Sequence, residues 1–274
     1  MSPLPTLFVS HGAPTFARNP GRAGPLLTAL GRALPRPAAV LVVSPHWTTP
    51  HPRVAIGPRL RTIHDFGGFD PVLYEIEYPA AGHPELAGRA LDVLRAVGWT
   101  AEADAIRGLD HGAWVPLTYL YPEAEVPVFQ VSMPARLNAE KAFAFGQALA
   151  PLASEGVLIV GSGSLTHNLY EFGAHGADEA YVAAFAEWVR RAIVNRERDR
   201  LVSALAIAPH ARRAHPTPEH FWPLLIALGA SNKPWPATIL EGGIDHRILA
   251  MDAYVFGQSV NLEMPPVGAT GTAA

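Results

Sequence analysis

Ala39-Val40-Leu41-Val42-Val43-Ser44-Pro45-His46-Trp47 opens with five apolar residues in succession, mostly β-branched, entered from Pro35-Arg36-Pro37 and left through a Ser-Pro turn. Apolar side chains at every position, rather than at alternate ones, predict a strand covered on both faces, as in a parallel sheet. Such a strand delivers His46 at its carboxyl end, where open α/β sheets bind their ligands. Two other stretches repeat the pattern: Thr6-Leu-Phe-Val-Ser-His11-Gly-Ala-Pro14, and Val157-Leu-Ile-Val-Gly-Ser-Gly-Ser-Leu-Thr-His167. Core strands are therefore expected to bring His11, His46 and His167 to one rim.

The segments between these strands read mainly as helices. Arg22 to Leu34 carries Leu26, Leu27, Leu30 and Leu34 at helical spacing and stops before Pro35. Strand, helix, strand is the βαβ unit of a parallel sheet. Pro84 to Val97 predicts a helix closed by Gly98, and Asn138 to Leu152 one capped by Asn138 with Glu140 in its first turn. Asp178 to Arg196 predicts the longest helix. Short strands are expected at Arg53–Ile56, Ala101–Ala105 and Val126–Val131, and a half-exposed final strand over Ile248–Phe256. Thr217-Pro-Glu-His220 has the order of a helix start leading into Phe221–Leu228, with Pro223 implying a kink or a delayed start. Arg200 to His215 shows no clean pattern, and Gly161 and Gly163 are expected to let the backbone turn tightly at the rim. No repeat or linker divides the chain; one domain over residues 1–262 and a loose tail over 263–274 are expected.

Of 274 residues 49% are apolar and 16% charged, the balance of an ordinary soluble globule, and the net charge of −3 gives no reason to expect nucleic acid or an anionic membrane surface. Cysteine is absent, which excludes disulfides, thiolate chemistry and cysteine-built zinc sites, so any metal sits on histidine and carboxylate. No basic segment followed by an apolar one opens the sequence, and no apolar run approaches the roughly 18 residues a membrane helix needs. A cytoplasmic protein is expected.

There are 12 histidines. His51, His83, His175, His210 and His246 read as ordinary surface or hydrogen-bonded residues; His64 and His215 are open either way. His11, His46, His111, His167 and His220 differ, because each follows a strand or opens a helix among small or turn-forming residues. Such a cluster suits a metal that accepts imidazole, zinc or iron, and also acid–base chemistry near neutral pH. Thr62-Ile-His-Asp-Phe-Gly-Gly-Phe-Asp-Pro71 is either a structural turn or a substrate-facing lid. Dinucleotide, phosphate-loop and serine-hydrolase fingerprints are missing.

Phe8-Val-Ser-His11-Gly-Ala-Pro, Val43-Ser-Pro-His46-Trp, Thr62-Ile-His-Asp-Phe-Gly-Gly-Phe, Leu109-Asp-His111-Gly-Ala-Trp, Gly163-Ser-Leu-Thr-His167-Asn-Leu and Pro216-Thr-Pro-Glu-His220-Phe-Trp-Pro resemble, in order, the class III extradiol ring-cleavage dioxygenases, most closely the 4,5-DOPA extradiol dioxygenase-like branch. The resemblance implies a three-layer α/β/α sandwich around a central mixed, largely parallel sheet, as one catalytic domain. It implies one divalent metal on His11, His46 and His220, with His111 and His167 as acid/base residues and His167 as an alternative fourth ligand. Fe(II) would serve ring cleavage of a catechol by O2, to a semialdehyde. The all-histidine set, with Glu219 beside His220 where relatives typically use a carboxylate ligand, suits Zn(II) as well. Dimers are common among relatives, so a homodimer is the assembly in view. Two rivals stand: a zinc hydrolase with Glu219 or His167 as base, and a binding protein with an idle metal site.

Overall fold

The computed structural model describes residues 3–173 and 179–263; His175 and the expected tail beyond Glu263 lie outside the described residues. The chain runs through β1 (Thr6–Ser10), α1 (Ala23–Ala33), β2 (Ala39–Val43), α2 (Pro84–Ala96), α3 (His111–Leu120), β3 (Val128–Gln130), α4 (Ala139–Leu149), β4 (Val157–Gly163), α5 (Glu179–Val194), α6 (Trp222–Ala230), β5 (Ala237–Leu240) and β6 (Ala253–Phe256). The strands form one six-stranded sheet in the order β3-β2-β4-β1-β6-β5. β3, β2, β4 and β1 are parallel neighbours, with Leu41 opposite Ile159 and Ser10 opposite Gly163. β6 and β5 run antiparallel on the far side of β1, which makes the sheet mixed.

Uninterrupted apolar strands are what a sheet covered on both faces requires, and alternate residues do enter separate cores. Phe8, Leu41, Val43 and Ile159 pack on one face with side chains of α2, α4, α5 and α6. Leu7, Val9, Val40, Val42, Leu158 and Val160 pack on the other with those of α1 and α3. Each fully buried Leu, Ile or Val is worth about 1.5–3 kcal/mol of transfer free energy, so the two sets hold both helix layers down. The result is the expected three-layer sandwich. Among the described residues no helix is long and apolar enough to cross a membrane.

Two expectations need correction. Gly161 and Gly163 do not turn the chain; they lie inside β4, and a Cβ on either would overlap the carbonyl of Pro223 or His220. Their bareness lets α6 and its leading loop lie against the strand, which is what carries His220 to the rim. The final strand is not half-exposed: Leu249–Ala250 and β6 are separate and buried, because a neighbour strand and a helix layer cover both sides of β6. The helix after Thr217 has the delayed start that Pro223 implied: it begins at Trp222 with Pro223 in its first turn, so His220 sits in the loop before it. Arg200–His215, patternless in sequence, forms short helical turns at Arg198–Val202, Ala204–Ile207 and Ala211–Ala214.

Candidate metal centre

Parallel strands put their carboxyl ends on one edge, and His11, His46 and His167 all follow β1, β2 or β4 there. His111 is the first residue of α3, whose cap Asp110 accepts from Ala113 N–H at 3.2 Å. Asp110 is fully buried and also takes hydrogen bonds from Arg107 and Gln130, both at 2.9 Å, while Arg107 reaches the His46 carbonyl at 3.3 Å. This buried network ties the His111 helix to the His46 turn. Gly112 completes the fit, since a Cβ there would strike the Ser44 hydroxyl and approach the His46 ring to 3.0 Å.

The rings of His11, His46 and His220 form a near-equilateral triangle, with centroids 5.0, 5.1 and 5.5 Å apart. His111 lies 3.9 Å from His46 and 5.4 Å from His11, and His167 stacks on His220 at 3.4 Å. The site thus brings together all five histidines singled out from sequence. Donor atoms of His11, His46 and His111 lie within 4.8 Å of one another, as do those of His167, Glu219 and His220.

What each ring presents to the centre follows from what holds its other nitrogen. Pro116, inside α3, has no N–H to give to the Gly112 carbonyl, and the Ser162 hydroxyl donates to that carbonyl instead. With its proton spent, Ser162 accepts from Nδ1–H of His11 at 3.0 Å, which leaves Nε2 of His11 a bare lone pair. His220 gives Nδ1–H to Glu219 at 3.0 Å, and its Nε2 is buried with no hydrogen-bond partner. His46 turns Nδ1 to Asp65 at 3.4 Å and Nε2 to Nε2 of His11 at 3.2 Å. Asp65 also accepts from Nδ1–H and the backbone N–H of His111, at 3.0 and 2.8 Å.

The electrostatics agree with neutral, ligating imidazoles. Burial, and then the mutual repulsion of the ring group, pushes His11 and His220 well below 6.5. Burial and the nearby His111 bring His46 to about 4, and burial chiefly does the same for His167. Burial alone would raise Asp65, but hydrogen bonds from His111 outweigh it and hold the carboxylate at about 2. Bonds of about 2.0–2.1 Å to one ion place neighbouring nitrogens about 3 Å apart, close to the 3.2 Å between Nε2 of His11 and Nε2 of His46. The residues fit a single metal ion.

The histidines open into a cavity of about 440 Å³ whose far wall includes Phe66, Phe69, Leu169, Phe172 and Leu249. The glycine-rich loop around Gly67 is therefore a cavity wall. His64 is structural, held to the Ile76 carbonyl at 3.0 Å, and so is His215, held to the Leu165 carbonyl at 2.8 Å. Asp65 and Ser162 are the functional residues that sequence reasoning missed. Asp65 had a signal in its place beside His64 in that loop; Ser162 had none, because its role depends on a carbonyl freed by a proline elsewhere in the chain.

Residues 26–257 match the family described as the catalytic LigB subunit of aromatic ring-opening dioxygenase. A 4,5-DOPA dioxygenase extradiol of Beta vulgaris is 40% identical over 258 residues, spanning 92% of this chain and 96% of that protein. A protein of the same name from Escherichia coli (strain K12) is 38% identical over 253 residues, spanning 90% and 93%. A crystal structure of an uncharacterized protein from Escherichia coli K12 superposes with a TM-score of 0.74 at 32% identity, covering 93% of this chain and all of that one.

Proposed function

The chain belongs to the family of the catalytic LigB subunit of aromatic ring-opening dioxygenases and is an extradiol ring-cleaving enzyme that uses one metal; from that premise we propose that it opens a DOPA-like catechol at ferrous iron held by His11, His46 and His220. The observation that carries the ligand set is that Nδ1 of each ring faces an oxygen, while the Nε2 atoms of His11 and His46 converge to 3.2 Å and that of His220 is buried without a hydrogen-bond partner. Ferrous iron bound there would supply electron transfer between catechol and dioxygen, chemistry that zinc lacks. The reaction consumes no other reductant: the ring bond beside the diol breaks, both oxygen atoms enter the product, and the ring opens to a hydroxymuconic semialdehyde.

The protein's own part is placement and proton transfer. His111, its Nδ1–H fixed on the Asp65 carboxylate, keeps Nε2 as an acceptor for a catechol hydroxyl proton, and the negative Asp65 stabilises the imidazolium that forms. His167, neutral and stacked on His220, is a second proton carrier; its grouping with Glu219 and His220 also favours a fourth-ligand role, which its effect on metal content tests. Phe66 and Phe69 form part of the apolar wall of the cavity. The reading includes one catalytic domain over residues 1–262, supported by a single sheet whose strands span residues 6 to 256, and a cytoplasmic location, where iron stays ferrous.

Metal-free protein is reconstituted anaerobically with Fe(II) and given DOPA or a simple catechol in air. Oxygen uptake matched one for one by yellow semialdehyde, and absent with Zn(II), is the expected result. No uptake across a catechol panel, with iron bound, would overturn the reading in favour of a zinc hydrolase.

A further inference from the structure

The reading above names a catechol but leaves open what the enzyme recognises beyond the ring. In DOPA the ring carries an ammonium and a carboxylate on a stereogenic carbon. Selecting such a tail takes at least a cation for the carboxylate and an anion for the ammonium, placed to distinguish the mirror forms. Among the described residues no lysine or arginine lines the cavity. Residues 1–2, 174–178 and 264–274, outside that description, contain neither residue type.

Among the described residues the carboxylate in the wall is Asp65, and its oxygens are already taken by His111 and by the nearby His46. His246, which packs behind Phe172 at 4.7 Å, spends Nε2 on the Thr15 hydroxyl at 3.1 Å. Arg18 lines a separate groove with Thr15 and Asp70. What a ring substituent meets is hydrocarbon: Phe66 and Phe69 edge to face at 5.7 Å, then Leu169, 56% exposed, and Phe172, 38% exposed, at the outer end.

Resting on the ring-cleavage reading of this site, we infer that the enzyme reads the catechol ring and leaves the charge and handedness of its substituent unread, the apolar wall favouring an uncharged side chain over an amino-acid one. A carboxylate pressed against that wall would lose water without gaining a partner, so it stays hydrated at the mouth. An alkyl chain gains the Phe69, Leu169 and Phe172 surface instead.

The test has two arms, one independent of turnover. In the first, calorimetry on Zn(II)-loaded protein without oxygen measures binding of L-DOPA, D-DOPA, 4-propylcatechol and 3-(3,4-dihydroxyphenyl)propionate. In the second, the Fe(II) enzyme is assayed by oxygen uptake with the same compounds. The expected result is binding and kcat/KM for the two DOPA enantiomers within about threefold, and 4-propylcatechol bound at least as tightly as either and more tightly than the propionate. A tenfold preference for L-DOPA, or for the propionate over 4-propylcatechol, would overturn the inference while leaving ring cleavage standing. So would a tenfold loss confined to DOPA in Arg18→Ala or His175→Ala. The expected binding order without any oxygen uptake would uphold the inference and sink the ring-cleavage reading.

Discussion

Two carboxylates stand behind the histidine group, and they are built differently. Asp65 comes from a loop distant in sequence, its side chain 20% exposed, and serves two rings through His46 Nδ1 and both N–H groups of His111. Glu219 is the chain neighbour of the single ring it serves, His220, and is 37% exposed. A carboxylate brought from afar that holds two rings at once fixes geometry that nothing else can; one adjacent in sequence that holds a single ring can be replaced by water. The difference assigns precision to the His46–His111 half of the site and latitude to the His220–His167 half.

The largest effects come from the rings themselves. His46→Ala and His220→Ala are each expected to strip metal from the purified protein, measured by atomic emission, whereas His111→Ala keeps its metal and loses about 10²–10⁴-fold in kcat. Loss of metal in His111→Ala with retention in His220→Ala would break the comparison, because it would make His11, His46 and His111, the compact trio, the ligand set.

Exchanging the carboxylates for amides comes next. Asp65→Asn is expected to lower activity by about 10–100-fold, the range typical of outer hydrogen bonds on metal ligands. It removes the charge that favours protonated His111 and frees two rings at once. Glu219→Gln should cost less than about tenfold, since the amide oxygen still accepts from Nδ1–H of His220. Equal losses in both variants, measured as kcat at matched metal content, would erase the distinction between the halves.

The same contrast explains what the sequence showed. His11, His46 and His167 were legible because strand ends announce themselves through apolar runs, and parallel topology then puts all such ends on one edge. His220 and His111 were legible through the turn residues around them. Asp65 was half legible, and Ser162 not at all, since a serine between two glycines inside a strand looks like filler until its partners at Gly112 and His11 are known. In sequence Gly161 and Gly163 suggest backbone freedom, whereas their use is the room they leave for Pro223 and His220, and what crosses a strand is invisible in one dimension. β5 escaped because Ala237-Thr-Ile-Leu240 directly follows Pro234-Trp-Pro236 and is mostly half-buried, without the continuous apolar run that marks β1, β2 and β4.

The last effect touches stability and not turnover, and it uses a buried histidine with no carboxylate behind it. His215 gives Nε2–H to the Leu165 carbonyl, and its Nδ1 is buried without a partner. Burial drives its pKa down to about 4, against about 6.5 for the unfolded chain. The unfolded state therefore binds a proton near pH 6 that the folded state refuses, and folding stability falls as pH drops from about 6.5 to about 4. One such proton is worth about 1.4 kcal/mol per pH unit within that window and roughly 3 kcal/mol across it. His215→Gln keeps a donor for the Leu165 carbonyl but cannot titrate, so the pH dependence of its stability should be shallower than the parent's by that one proton. Urea unfolding of the metal-free proteins at pH 6.5, 5.5 and 4.5 measures it. The site histidines contribute their own acid sensitivity equally to both proteins, which is why the difference, not the slope itself, isolates His215. Parallel curves for the two would mean that His215 already accepts a proton in the folded state, and that a bare carbonyl serves a buried imidazolium as well as Asp65 does.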